Sequence, residues 1–228
     1  MDDLYREFTK FVVMTTNKMV FDEIAESWYR LRHWSRFTKE LEEMASRWHK
    51  GKLLNIGCAH GPDFLPFKDN FELWGMDFSA HMVSLAQKYA DKFDFNVNLT
   101  VADANSLPYI DNTFDQAIAV ATYHHIQGDK QRQDAFQELR RILKPGGEAF
   151  ITVWNRWQPE FWLKGKEVNI PWKTRGKILH RYYYLFSYPE LRNLLTNVGF
   201  EIMSMFPEKS YRSPLKFFSR NICALIKK

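Results

Sequence analysis

The sequence predicts an α/β fold: a doubly wound, mostly parallel sheet of seven strands, with a helical cap before it and an insertion after its fifth strand. Three observations predict it. From about residue 50 onward, short apolar runs alternate with longer amphipathic segments. The first runs end on glycine or aspartate, the residue types that suit the ligand-facing edge of an open sheet. The run from Phe114 to Val120 is nearly all apolar, as a strand covered on both faces should be.

Taken in order, residues 1–48 read as helical, with Trp28, Leu31, Trp34 and Phe37 close to helical spacing, and form the cap. Lys52 to Ile56 is a buried strand ended by Gly57, and Phe71 to Met76 a second ended by Asp77. Ser79 caps a helix through about Tyr89, with Met82, Leu85, Ala86 and Tyr89 on one face. Val97 to Val101 is a third strand, ended by Asp103, and Phe114 to Val120 the fourth. A helix from Asp129 buries Ala135, Phe136, Leu139, Ile142 and Leu143, and Lys144-Pro145-Gly146-Gly147 stops it. Ala149 to Val153 is the fifth strand. Residues 154–186 are an insertion rich in Trp, Tyr, Lys and Arg, in which Pro159, Pro171, Gly165 and Gly176 break regular structure. A helix from Tyr188 to Asn197 and strands Phe200 to Phe206 and Asn221 to Ile226 complete a single domain. Its parts are a cap (1–48), a core (49–153), the insertion (154–186) and a C-terminal segment (187–228).

Composition narrows the function classes. The 228 residues are 45% hydrophobic and 26% charged, which excludes an intrinsically disordered chain. No stretch reaches the roughly 18 apolar residues that span a bilayer. The acidic start, Met1-Asp2-Asp3, has no signal-peptide pattern, so a cytoplasmic protein without a membrane partner is expected. Two cysteines, Cys58 and Cys223, are too few for a disulfide framework or a zinc site, and no metal is expected. Charge is split: Trp154 to Lys228 carries 14 Lys and Arg against 5 Asp and Glu, whereas the preceding residues are net acidic. A basic, aromatic-rich C-terminal third points to a polyanion or an anionic substrate, or to a solvated basic surface.

The candidate site lies at successive strand ends. Gly57 and Gly61, in Leu53-Leu54-Asn55-Ile56-Gly57-Cys58-Ala59-His60-Gly61, let backbone approach a ligand without a Cβ in the way. Asp77, 20 residues beyond Gly57, is placed to accept from a ribose diol. Asp103 can accept from an adenine amine, with Ala102 and Ala104 leaving room for the ring. Each acid has an alternative as a turn cap, but the joint spacing favours a nucleoside.

These residues resemble the class I S-adenosylmethionine-dependent methyltransferases, with their Rossmann-like fold. The match runs through LLNIGCAHG, GMDFS, VADANSLP, FDQAIAV and LRRILKPGGEAFITVW, over about residues 51–154. The resemblance implies S-adenosylmethionine as cofactor, held by Asn55, Gly57, Cys58, Gly61, Asp77, Phe78, Asp103, Ala104 and Ala119. Two positions depart: Asn55 stands where the family has Asp, and Ala59 where it has Gly. A closer resemblance is to the tRNA wobble-uridine (5-carboxymethyluridine) carboxyl methyltransferases. It is carried by Phe21-Asp22-Glu23-Ile24-Ala25 with Arg32, by Ile170-Pro171-Trp172 and by Arg181-Tyr182-Tyr183-Tyr184-Leu185-Phe186, where Tyr184 replaces a His. Their His-His-Trp becomes His124-His125-Ile126.

That resemblance implies methylation of a carboxylate on a modified uridine, with tRNA as partner, no DNA, and a small zinc-binding activator protein that covers an apolar face. Arg32 and Arg181 are the candidates to hold the carboxylate, with His124 or His125 as a neutral donor. Trp172, Tyr182 and Tyr183 are the candidates to stack a flipped-out base or to line the pocket. Lys164, Lys166, Lys173, Arg175 and Lys177 would add backbone affinity for RNA. Arg32 pairing with Glu23 or Glu26, and a tyrosine ring packed on the core, are the structural alternatives. At the level of function, the alternatives are a methyltransferase of small quinone or lipid precursors and a non-catalytic cofactor-binding module.

Overall fold

Strand order in the main sheet is β3-β2-β1-β4-β5-β9-β8, in a computed structural model that describes residues 17–174, 176–212 and 215–228. The first sixteen residues of the expected cap, and Arg175 of the expected basic insertion, lie outside the described residues. The strands are β1 (Gly51–Ile56), β2 (Phe71–Asp77), β3 (Asn98–Val101), β4 (Phe114–Val120), β5 (Leu143–Trp154), β8 (Glu201–Pro207) and β9 (Asn221–Lys227). Pairs among β1 to β5 are parallel, and β9 joins β5 and β8 antiparallel. The seven-stranded, mostly parallel sheet is the one the sequence predicts.

Side-chain alternation explains the two layers. On one face Leu54, Ile56, Ala117, Ala119 and Ile151 meet α4 (Asp129–Ile142) and α5 (Tyr188–Val198) through Phe136, Leu139 and Leu191. On the other, Leu53, Leu73, Ile118 and Phe150 meet α3 (Ala80–Phe93) and α2 (Thr38–Trp48) through Tyr89, Leu41 and Trp48. Each such fully buried aliphatic side chain contributes about 1.5–3 kcal/mol of transfer free energy. Ser79 caps α3 by accepting from the Met82 N–H at 3.1 Å, as its position predicts.

Three expectations are corrected. The described part of the cap is two helices, α1 (Asn17–Leu31) and α2, separated at residues 32–37. Leu31 is 71% exposed and Trp34 64%, while Val20, Phe21, Ile24 and Ala25 form the buried stripe of α1. The Pro145-Gly146-Gly147 run does not form a separate stop, because α4 ends at Ile142 and the chain enters β5 at once. The insertion is not irregular: it carries a hairpin of β6 (Glu167–Thr174) and β7 (Lys177–Tyr184), which turns at Gly176 with φ +76°. Pro171 is tolerated there because a two-stranded ribbon is all edge. Among the described residues no helix is long and apolar enough to cross a membrane.

Candidate functional site

A cavity of about 520 Å³ opens at the C-terminal ends of β1, β2 and β4, where strand order reverses between β1 and β4. Its floor is made by Gly57, Ala59, Met76, Asp77, Phe78, Ala102, Asp103, Ala104 and Val120. Its roof is made by Asn17, Phe21 and Trp28 of α1 and by Arg181 and Tyr183 of β7. The size is within the range of small-molecule sites.

The β1 turn is built for close approach. Gly57 has φ +70°, and a Cβ there would sit 2.4 Å from Thr122 Oγ1. Ala59 has φ +47°, an uncommon left-handed conformation for a residue with a side chain. Its N–H donates to Asp77 Oδ2 at 2.9 Å, which holds the turn against the end of β2. Asp77 Oδ1 accepts from the Ser79 N–H at 2.9 Å. Burial raises the Asp77 carboxyl to about 6, while these backbone donors pull the other way. Each carboxylate oxygen keeps a lone pair for a further donor. Asp103 lines the same cavity from an exposed position.

Opposite this floor the cavity is cationic. On β7, alternation sends Arg181 and Tyr183 inward and Tyr182 and Tyr184 outward. Tyr182 hydrogen-bonds Arg132 of α4 through its hydroxyl at 3.4 Å, and the Arg132 guanidinium lies 3.5 Å over the Tyr184 ring. Arg181 is 5% exposed, with its guanidinium 4.8 Å from the Trp172 ring centroid and 5.3 Å from that of Tyr183. Its Nε–H is buried with no acceptor. Arg32 stacks 4.1 Å over Trp28. Burial, then Arg36, pull the Arg32 pKa down to about 10, and Arg181 and Arg220 add to this. Glu23 and Glu26 face Lys177 and His81 at 3.5 and 3.4 Å, so Arg32 does not pair with them. Among the described residues neither Arg32 nor Arg181 forms an ion pair with a carboxylate.

The histidines are neutral donors and acceptors. His124 Nδ1 accepts from the Trp154 N–H at 3.1 Å, so its proton lies on Nε2, which is buried and unpartnered. His125 Nδ1 donates to the Tyr182 carbonyl at 2.9 Å. Burial pushes His124 far below the usual range and His125 down to about 3, each further lowered by Arg181.

Of the predicted site residues, Arg32, Gly57, Asp77, Phe78, Ala102, Asp103, Ala104, His124, His125, Arg181 and Tyr183 line this one cavity. The others do not. Asn55 is fully buried in β1, with both side-chain amide atoms unpartnered. Cys58 and Ala119 are buried in the two core layers. Gly61 lies against Phe64 and Tyr89. Trp172 packs between Trp28 and Arg181 and donates to Ser27 Oγ at 3.0 Å. Tyr182 points away toward α4. Among the described basic residues of the insertion, Lys166 and Lys177 are paired to Glu190 and Glu23, and only Arg181 lines the cavity.

Sequence reasoning missed Asn17, His60, Asp63, Thr122 and Arg220, all cavity-lining. Asn17 is the least visible. Its side-chain amide donates to the His125 and Tyr182 carbonyls at 2.9 and 3.2 Å and accepts from the Tyr182 N–H at 2.9 Å, tying α1 to β7.

Residues 53–147 match a family described as a methyltransferase domain. The chain is similar to a protein of Encephalitozoon cuniculi named as a methyltransferase, 28% identical over 182 residues, covering 76% of this chain and 80% of that one. It is similar to a tRNA (carboxymethyluridine(34)-5-O)-methyltransferase of Arabidopsis thaliana, 33% identical over 137 residues, covering 59% of this chain and 31% of that one. The chain thus spans less than a third of that plant relative. The fold is similar to that of the 1,6-didemethyltoxoflavin-N1-methyltransferase of Burkholderia thailandensis, solved with S-adenosylhomocysteine bound. The TM-score is 0.67 at 15% identity, over 94% of this chain and 88% of that one.

Proposed function

We propose that this chain, a methyltransferase that takes S-adenosylmethionine as cofactor, methylates the carboxylate of a modified wobble uridine in tRNA. The observation that carries this reading is the buried donor set of Arg181 Nε–H and His124 Nε2–H, which has no acceptor among the described residues. An unmet buried donor costs about 1–3 kcal/mol, and an anionic substrate relieves it. The plant relative's name supports the same substrate.

The residues fit the cofactor. Gly57 lets the β1 turn pass against Thr122, where a Cβ would collide; Asp77 would accept from the ribose diol, and Asp103 with Ala102 and Ala104 would take the adenine. The bound cofactor supplies an electrophilic methyl group on a sulfonium. The chain's own part is positioning, which is where most of the rate comes from when the nucleophile is already ionised. Arg181 and Arg32 hold the carboxylate, His124 donates from Nε2, and no side chain has to remove a proton. Trp172 braces Arg181 rather than stacking on a base, and Tyr183 forms the cavity wall. Resemblance adds a zinc-binding activator protein as partner, and a tRNA substrate fits a cytoplasmic enzyme.

A quinone or lipid-precursor substrate would call for a closed apolar tunnel, which a cavity lined by Arg32, Arg181 and Arg220 is not. The test mixes the purified chain, with and without a zinc-binding activator, with labelled S-adenosylmethionine and total tRNA from a strain lacking the gene. A small-molecule extract serves as control. Label in an ester-bearing wobble uridine is expected; label only in the extract moves the enzyme to the small-molecule class.

A further inference from the structure

At the end of the cavity away from Arg181, the unmet groups have the opposite sense: they are acceptors. Asp63 follows Gly61 by two residues, in the short 3-10 turn Pro62–Phe67. It lines the cavity and is 8% exposed. Burial raises its carboxyl to about 6, and a hydrogen bond from the Ser35 hydroxyl pulls it back. Among the described residues no Lys or Arg forms an ion pair with it. His60, 1% exposed, also lines the cavity. Its Nε2 faces the Arg32 carbonyl, which can only accept, so Nε2 carries the proton and Nδ1 keeps a lone pair. That Nδ1 is buried with no donor. Burial lowers His60 to about 4, so the ring is neutral at physiological pH. Tyr29 and Tyr89 hold it edge-on, at 5.3 and 5.6 Å between centroids.

A buried carboxylate with no cationic partner among the described residues, beside a buried imidazole lone pair with no donor, calls for a small cation with several N–H groups. The adjacent Gly57–Gly61 turn is where the amino-acid end of the cofactor is expected. Asn55 is neutral and does not line the cavity, so it brings no charge to that end. We propose that Asp63 and His60 seat the ammonium group of the cofactor, with Asp63 supplying the negative charge that Asn55 lacks. The proposal rests on S-adenosylmethionine as cofactor and not on the identity of the methyl acceptor.

The test is calorimetric binding of three ligands to the whole chain, wild type and Asp63→Asn. S-adenosylhomocysteine carries the ammonium, its deaminated analogue lacks only that group, and 5′-methylthioadenosine lacks the whole amino-acid end. Asp63→Asn is expected to weaken S-adenosylhomocysteine roughly 10- to 100-fold, the range for a hydrogen bond to a charged group. It should leave the other two ligands within about twofold, since neither presents a cation to that residue. His60→Phe, which keeps a ring in place, is expected to show the same selectivity with a smaller loss. Equal losses on all three ligands would assign Asp63 to holding the turn and overturn the proposal, as would no loss on any. If Asp63→Asn does not fold, wild type alone decides, because a deaminated ligand that binds as tightly as S-adenosylhomocysteine refutes the seat. A failed methyl transfer to tRNA leaves these binding results unaffected.

Discussion

The cavity holds two buried neutral histidines with opposite unmet needs, one beside an arginine and one beside an aspartate. Under the β7 hairpin, an imidazole and a guanidinium each keep a buried N–H with no acceptor, His124 Nε2 and Arg181 Nε. Beside the β1 turn, the His60 Nδ1 lone pair has no donor and the Asp63 carboxylate has no cationic partner among the described residues. Both imidazoles are neutral by burial, and what separates them is the nitrogen the backbone occupies: Trp154 N–H takes the lone pair of His124, and the Arg32 carbonyl takes the proton of His60. Local backbone geometry sets the sense of each histidine, and the neighbouring guanidinium or carboxylate makes one end fit for an anion and the other for a cation. In the proposed reaction two ligands would relieve these unmet groups, the cofactor by its ammonium and the methyl acceptor by its carboxylate.

The largest test of this polarity is Arg181→Met, which keeps the bulk but removes the donor. Methyl transfer to a carboxylate is expected to fall roughly 100- to 1,000-fold in kcat/KM, the scale of losing one partner of a buried charged contact, with cofactor affinity nearly unchanged. A parallel loss of cofactor affinity would break the separation of the two ends. Asp77→Asn should do the reverse: cofactor affinity drops about tenfold, in the range of one charge-assisted hydrogen bond, and the acceptor KM holds.

The pH profile sharpens the comparison further. Neither His124 nor His125 titrates near neutrality, so kcat/KM for a carboxylate substrate should be flat from about pH 6.5 to 9, with no histidine base limb. Asp77 and Asp63 are raised to about 6, so below that pH both carboxyls take up protons and cofactor affinity should decline. A rising limb centred near 6.5 would instead assign a histidine as base. The smallest effect is Ala59→Gly: relief of the left-handed strain at φ +47° outweighs the added chain entropy, for a net gain of about 0.5 kcal/mol in denaturant unfolding.

Sequence patterning carried the sheet because burial on both faces leaves a signature that depends on few neighbours. Phe114–Val120 was legible to the residue, and so was Ser79 as the cap of α3. The break at residues 32–37 was not, because the aromatic spacing of Trp28, Leu31, Trp34 and Phe37 continues a helical period across a bend, and only Phe37 of the last three is buried. The hairpin was hidden by Pro171 and Gly176, which interrupt a central strand but suit a ribbon and its turn. In the site, residues at strand ends were legible, since topology alone brings Asp77 and Asp103 to one edge. Which groups lack partners was not legible: Asn17, Asp63 and the free nitrogens of His60 and His124 are defined by contacts across 25 or more residues of chain, as the 28-residue separation of His60 from Arg32 illustrates.

The outward side of β7 is anchored to α4 through Arg132, which meets both Tyr182 and Tyr184, while the inward side holds Arg181 and Tyr183. Such a strand has parity: even numbers bind the scaffold and odd numbers serve the cavity. Tyr184, which departs from the motif the sequence resembles, stands on the outward side and serves as an anchor for Arg132. Deleting a single residue at the Gly176 turn would be a frameshift in three dimensions that exchanges the two sides of the strand at once.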